Sequence, residues 1–331
     1  MKRINLLILF VAAFLACNSP MCASAQNAVA LKKITFLTNY VFNGRHAPFF
    51  VGLEKGFYKD AGFDVQITPA TGSGFVITAI DSGKADFGMA DLSPVVQGVA
   101  KGAKVKAFMV YTDVTTNGLA SLSSYPTPES VIGKKIAAGQ TDSVRVILPI
   151  IFEMKKLDPS SINWVAADPG IYSSLLLSGQ VDLYTASSDG DMPALTQVAA
   201  AQGKDVHFAS FADWSYDVIG YVLLGSASAL AKDPAEAGHF AAATKKAVAY
   251  ATDHPDETAE IMVKYNPTMN LHVVKAQWVE TIKSMKTTFV AKNGYGVATE
   301  DRIQRSIDLV KKALKLDADL KPSDIYSKFA D

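Results

Sequence analysis

The sequence predicts an α/β fold of two lobes, each a mostly parallel sheet flanked by helices, with a helical C-terminal region. Three observations predict it. From Leu31 short apolar runs alternate with helical patterns, the alternation restarts after Asn117, and beyond Asp233 only helical patterns remain. Units of about 100 residues suit two lobes better than one large sheet.

In the first series, strands are expected at 33–37, 64–67, 86–89 and 105–111, and helices at 47–58, 73–82 and 93–100. Parallel strands with right-handed crossovers follow from that order. The second series places strands at 135–138, 163–165, 181–185 and 206–209, and helices at 144–155, 171–177 and 193–201. The unbroken apolar run 218–224 is expected to cross back to the first lobe. Helices then follow at 234–252, 255–265, 273–286, 299–314 and 322–329. Asp233-Pro234, His254-Pro255 and Lys321-Pro322 supply helix-start signals. Lobe 1 is therefore expected to hold residues 31–115 and 218–331, and lobe 2 residues 116–217. The connections near 112–117 and 213–218 are the expected hinges.

The first 25 residues read as an export signal. Lys2 and Arg3 precede an apolar run from Leu6 to Ala16, and Ala23-Ser24-Ala25 offers a cleavage site that leaves Gln26 first. The run is too short for a membrane-spanning helix, which needs about 20 residues. A lipoprotein route through Cys17 is disfavoured because Phe14 and Leu15 sit poorly ahead of the cysteine. Both cysteines, Cys17 and Cys22, fall in this segment, so a disulfide framework, a cysteine–zinc site and a cysteine nucleophile are excluded from the mature chain. The full chain balances 32 basic against 32 acidic residues, and losing Lys2 and Arg3 tips it slightly acidic. No basic run points to nucleic acid.

Ligands of open parallel sheets bind at the carboxyl ends of the strands. The loop after the first strand offers Asn39, Tyr40, Phe42, Arg45 and His46, and the next offers Gly72, Ser73 and Gly74, whose N–H groups open a helix. The third strand ends at Asp91. From the second series come Thr141, Asp142, Ser143 and Arg145, then Asp168, the turn Ser187-Ser188-Asp189, and Trp214 with Tyr216. Each has a plainer use. Ser73, Asp142 and Ser143 suit helix caps, Arg45 and Arg145 suit surface ion pairs, and Trp214 and Tyr216 suit packing between lobes. A histidine at a helix start, such as His46, is commonly structural.

Catalytic signatures are thin. Gly72-Ser73-Gly74 is followed by Ile77 where a dinucleotide fingerprint needs glycine, and Ser82-Gly83-Lys84 lacks the upstream glycine of a phosphate loop. No G-x-S-x-G or H-E-x-x-H occurs. The five histidines are scattered, so no metal and no cofactor is expected, and the chain is expected not to be an enzyme.

His46, Lys55-Gly56-Phe57-Tyr58, Gly62-Phe63 and Val65 follow a spacing that resembles the signature of receptors for thiamine-pyrimidine precursors and sulfonates. Gly83-Lys84-Ala85-Asp86-Phe87-Gly88, Gly133-Lys134-Lys135-Ile136 and Leu177 to Asp182 are similar to further elements of that family, in the same order. The resemblance implies a type II periplasmic-binding-protein fold, a small solute clamped between two lobes, and delivery to an ABC permease by a monomeric periplasmic protein. Family members that bind pyrimidines often carry Asn-Trp where this chain has Asn39-Tyr40. With Phe42, Trp214 and Tyr216, this favours a planar aromatic or heterocyclic solute, Arg45 or Arg145 meeting an anionic group. A receptor for an aliphatic sulfonate is the alternative. Fungal relatives of the fold synthesise the thiamine pyrimidine with a lysine-bound pyridoxal phosphate and a cysteine-rich iron motif. This chain reads Gly88-Met89-Ala90-Asp91 at the position of that lysine and has no cysteine cluster.

Overall fold

The computed structural model describes residues 30–329; the expected export signal and Cys17 lie outside them. The elements run β1 (Lys32–Leu37), α1 (Ala47–Glu54), α2 (Phe57–Asp60), β2 (Phe63–Thr68), α3 (Ser73–Asp81), β3 (Phe87–Asp91), α4 (Leu92–Ala100) and β4 (Val105–Val110). There follow β5 (Asn117–Ser121), β6 (Lys135–Ala138), α5 (Val144–Met154), β7 (Asn163–Ala166), α6 (Tyr172–Leu177), β8 (Leu183–Ser187), α7 (Met192–Ala200), β9 (His207–Ser210) and β10 (Tyr221–Ser226). The C-terminal helices are α8 (Ala227–Lys232), α9 (Pro234–Asp253), α10 (Pro255–Tyr265), α11 (Leu271–Met285), α12 (Thr288–Asn293), α13 (Glu300–Leu314) and α14 (Pro322–Ile325).

Two five-stranded sheets share one topology. The first has the order β2-β1-β3-β10-β4 and the second β7-β6-β8-β5-β9. In each, the first three neighbours are parallel, and the strand that the chain enters on crossing from the other lobe is wedged in antiparallel beside the third. The inserted strands make each sheet mostly rather than wholly parallel, as expected. β10 lies antiparallel to both β3 and β4, and β5 to both β8 and β9. Each chain crossing therefore ends inside the opposite sheet rather than at its edge, which ties the lobes through their cores.

Several element boundaries differ from expectation for local reasons. The helix expected at 47–58 is two, because Gly56 takes a left-handed φ of 74° and turns the chain between α1 and α2. β5 has the sequence Asn-Gly-Leu-Ala-Ser, which carries no β-branched or aromatic residue. Its pairing, not its propensity, makes it a strand, and Gly118 permits it: a Cβ there would stand 2.4 Å from the Ala209 carbonyl oxygen. Short α8 and α12 were not expected, and the last helix ends at Ile325 rather than 329.

The core of lobe 1 is aromatic. Phe240 on α9 is fully buried, stacks on Tyr58 at 5.0 Å and meets Phe36 and Phe87. Truncating such a ring costs about 3–5 kcal/mol. This packing presses α9 onto the sheet and leaves the strand ends free to face the other lobe.

Candidate functional site

The register of the inserted strands builds the site. β10 sets Tyr221 opposite Asp91, and β5 sets Asn117 opposite Ser187. An antiparallel strand begins where its parallel neighbours end, so all four residues meet at the junction of the lobes. A cavity of about 330 Å³, its open mouth included, lies there. Lobe 1 and β10 contribute Asn39, Tyr40, Arg45, Gly72, Asp91 and Tyr221 to its wall. The other face carries Asn117, Asp142, Ser143, Thr185, Ser187 and Asp191.

Arg45 is placed by a short 3-10 turn, Gly44–His46. The Asn43 side chain accepts from the Arg45 N–H, and His46 Nδ1 accepts from the Asn43 N–H at 3.2 Å. An accepting Nδ1 puts the ring proton on Nε2, which donates to Asn39 Oδ1 at 2.9 Å. His46 is thus neutral, and burial, reinforced by the charge of Arg45, holds its pKa well below the usual value.

Arg45 does not face the cavity as a free cation. Its Nε and Nη2 grip both oxygens of Asp189 at 2.8 and 2.5 Å, Nη2 also donates to Ser187 Oγ at 2.7 Å, and the guanidinium lies 4.3 Å from the Tyr221 ring centroid. Both partners of this ion pair, one from each lobe, are buried. Burial opposes each charge, but the pairing outweighs it: Asp189 is held below the usual carboxylate range and Arg45 above its own. Thr281 on α11 donates to the same carboxylate at 3.0 Å. Beside it, Gln277 accepts from the Gly44 N–H at 2.7 Å and donates to the Gly190 carbonyl at 2.5 Å.

Three more carboxylates border the cavity, each fed by neutral donors. Asp91 accepts from Asn117 Nδ2 at 2.6 Å and Ser73 Oγ at 3.1 Å. Asp142 accepts from the Val144 N–H at the start of α5 at 2.9 Å and from Thr185 Oγ1 at 2.6 Å. Asp191 accepts from the N–H and the hydroxyl of Ser187, both at 2.8 Å. Burial pushes all three pKa values up, that of Asp191 to about 6. The Tyr40 hydroxyl is raised as well, by burial first and then by Asp191 and Asp142. Among the described residues, Tyr40 Oη is the buried side-chain polar atom with no hydrogen-bond partner.

The lobes touch around this cavity. Ser143 Oγ donates to Ser73 Oγ at 2.8 Å, the Gly74 N–H donates to the Thr141 carbonyl at 3.1 Å, and the hydroxyls of Thr71 and Thr141 are 3.1 Å apart.

Of the residues singled out from sequence, Asn39, Tyr40, Arg45, Gly72, Asp91, Asp142, Ser143 and Ser187 line the cavity. His46, Ser73 and Asp189 stand immediately behind it, and Gly74 and Thr141 make the contact between lobes. The others are elsewhere. Phe42 packs edge-on to Phe50. Arg145 is spent on the carbonyls of Gly139 and Ala138 and lies over Trp164. Asp168 is exposed and caps a 3-10 turn, and the Ser188 N–H bonds to Thr116. Trp214 donates its indole N–H to Pro126 and packs on Phe211, while the Tyr216 hydroxyl meets Ser93. Asn117, Thr185, Asp191 and Tyr221 were not singled out. Asn117 and Tyr221 open antiparallel strands, which a search at the carboxyl ends of parallel strands passes over.

Residues 43–258 match the family described as NMT1/THI5 like. The chain belongs to that family. The fold agrees: an alkanesulfonate-binding protein from Xanthomonas axonopodis pv. citri, solved with MOPS, superposes with a TM-score of 0.64 at 13% identity, covering 89% of this chain and 98% of its own. A Bordetella bronchiseptica protein gives 0.68 at 20% identity, covering 89% and 94%. This is the periplasmic-binding-protein fold, as the family resemblance implied. Among curated proteins, one from Saccharomyces cerevisiae is 24% identical over 254 residues, 72% of each chain, and one from Legionella pneumophila is 21% identical over 272 residues, 78% of this chain and 81% of its own. Both are named 4-amino-5-hydroxymethyl-2-methylpyrimidine phosphate synthase.

Those names correct the expectation that the chain is not an enzyme. That expectation rested on missing motifs, and a missing motif excludes only the chemistry that the motif encodes. The lysine-bound pyridoxal phosphate of the fungal relatives does not fit this cavity, however. No lysine lines it, and its carboxylates would oppose a phosphate. Among the described residues no group of three or more His, Cys, Asp or Glu is arranged to hold a metal ion. No helix among them is long and apolar enough to cross a membrane.

Proposed function

We propose that this protein binds a small solute in the cavity between its lobes, as the exported receptor of an ABC importer, and that the solute is a planar heterocycle such as a pyrimidine. One observation carries the reading. The Tyr40 hydroxyl is buried without a partner in a wall built from both lobes, where a bound polar group would satisfy it. The Tyr40 ring offers a stacking face, and the carboxylates suit ring N–H and exocyclic amino groups. The synthases among the relatives are named for an aminopyrimidine, which agrees with this choice.

The sulfonate alternative has structural neighbours in its favour and the cavity against it. Arg45 is held by Asp189, and Arg145 lies off the cavity. Small-angle scattering and thermal shift of the mature protein with 4-amino-5-hydroxymethyl-2-methylpyrimidine test the reading. The expected result is a higher melting temperature with a smaller radius of gyration. Saturation at 100 times the dissociation constant adds about 2.7 kcal/mol. A pyrimidine that leaves both unchanged, while methanesulfonate raises the melting temperature, would reverse the assignment.

A further inference from the structure

The charge on the cavity wall does not balance. Asp91, Asp142 and Asp191 border it from three separate elements, and Asp189 stands behind. The cation among them is Arg45, and both oxygens of Asp189 already hold it. The other three carboxylates are supported only by hydroxyls, amides and backbone N–H groups. Buried charges are ordinarily paired, and each carboxylate oxygen can accept more than one hydrogen bond. Tyr40 Oη, buried and without a hydrogen-bond partner on the same wall, is a polar group that a solute could engage.

We infer that the site selects an organic cation, a planar group bearing at least two N–H donors and a positive charge, and discriminates against sulfonates and phosphates. The inference rests on the interlobe reading above and adds the charge of the solute to it. A metal ion is not the cation in question, because the carboxylates do not converge as a ligand set. A protonated amidine or aminoheterocycle instead spreads its charge over several N–H groups, which suits carboxylates on opposite walls. The raised pKa values agree, since each carboxyl bears its charge at a cost that a cation would relieve.

The test is calorimetry on the mature protein with three probes of like shape: benzamidinium, neutral benzamide and benzenesulfonate. Benzamidinium should bind about tenfold or more tightly than benzamide, and benzenesulfonate should give no heat. In Asp191→Asn and Asp91→Asn, each checked for folding, that ratio should fall towards one. If a variant fails to fold, the wild-type protein at pH 7.5 and pH 5 provides the second measurement. Benzamidinium keeps its charge over this range while Asp191 takes up a proton, so its affinity should drop at pH 5 and that of benzamide should not. The groups facing Asp191 are Arg45 and Asp189, Tyr40 from the loop after β1, and Tyr184 from β8, none of which titrates between those values. Benzamide or benzenesulfonate binding as tightly as benzamidinium overturns the charge preference, as does a ratio unmoved by both the variants and pH. Either result leaves interlobe binding standing, because a bound neutral or anionic probe would still draw the lobes together in scattering. Absence of any binding by benzamidinium also overturns the inference, and the pyrimidine titration judges the interlobe reading separately.

Discussion

Gly72 lies against Thr141 with no room for a side chain: a Cβ on Gly72 would stand 2.1 Å from the Thr141 carbonyl oxygen. The two residues belong to different lobes, and Gly72 also holds a φ of 148°, which side-chain-bearing residues rarely adopt. The lobes meet here because position 72 is glycine. Gly72→Ala should therefore hold the lobes apart without unfolding either one. Scattering should show a larger radius of gyration than wild type in the presence of ligand, and calorimetry a weaker affinity. A variant that closes normally would show that the loop has another way to yield.

The Arg45–Asp189 pair makes a second prediction, about stability. Removing one partner of a buried pair leaves the other charge uncompensated, at a cost of about 3–5 kcal/mol. Arg45→Met and Asp189→Asn should each lose that order of stability in urea unfolding. The double variant should lose much less than the sum, since neither charge is then left alone. Additive losses would mean that the residues act independently, with Thr281 and Ser187 carrying the support of Asp189.

The direction of the Asp191 shift fixes a pH dependence. A carboxyl whose folded pKa is raised, here to about 6, favours the folded state when protonated. Its contribution is complete below the ordinary carboxylate pKa and is lost as pH rises through about 6. Asp191→Asn, which stays neutral throughout, should melt higher than wild type at pH 8 and show no such advantage at pH 4.5. Asp189 behaves oppositely: its lowered pKa gives stability that is present at neutral pH and lost on acidification. A constant difference between variant and wild type across the range would place the Asp191 carboxyl in contact with water.

What was legible in the sequence was the scaffold. The element around Asp86 carries the family resemblance because Asp86 zips β1 to the start of β3: its carboxylate accepts from the Thr35 N–H at 2.8 Å and its own N–H donates to the Thr35 carbonyl at 3.0 Å. Asp182 repeats the device in the second lobe with Lys135, at the same distances. These contacts are local to one sheet, so spacing reveals them. The cavity depends on pairing between segments about 100 residues apart. β5 has no strand propensity of its own, and Asn117 reaches Asp91 only because both insertions are antiparallel. Helix caps and ligand contacts also draw on the same residue types. Asp142 both holds the Val144 N–H at the start of α5 and forms a wall of the cavity, and no local pattern distinguishes the two roles.

Tyr40 and Trp214 were expected to hold the solute together, and the structure separates them. Tyr40 is on the cavity wall, with a buried hydroxyl that has no hydrogen-bond partner. Trp214 is buried against Phe211, its indole N–H committed to the Pro126 carbonyl at 3.0 Å, on a path that does not reach the cavity. The two alanine variants should therefore fail in different ways. Tyr40→Ala should weaken ligand binding by roughly 1–3 kcal/mol, the range for stacking on an aromatic side chain, with a small effect on unfolding. Trp214→Ala should cost about 3–5 kcal/mol of stability, as large-to-small changes in a core do, and leave the affinity of the folded fraction unchanged. Calorimetry and urea unfolding on both variants separate affinity from stability. Loss of affinity in Trp214→Ala at full folding would mean that the loop carrying Trp214 shapes the cavity from a distance. An unchanged affinity in Tyr40→Ala would move the stacking face to Tyr221, whose ring is already occupied by Arg45.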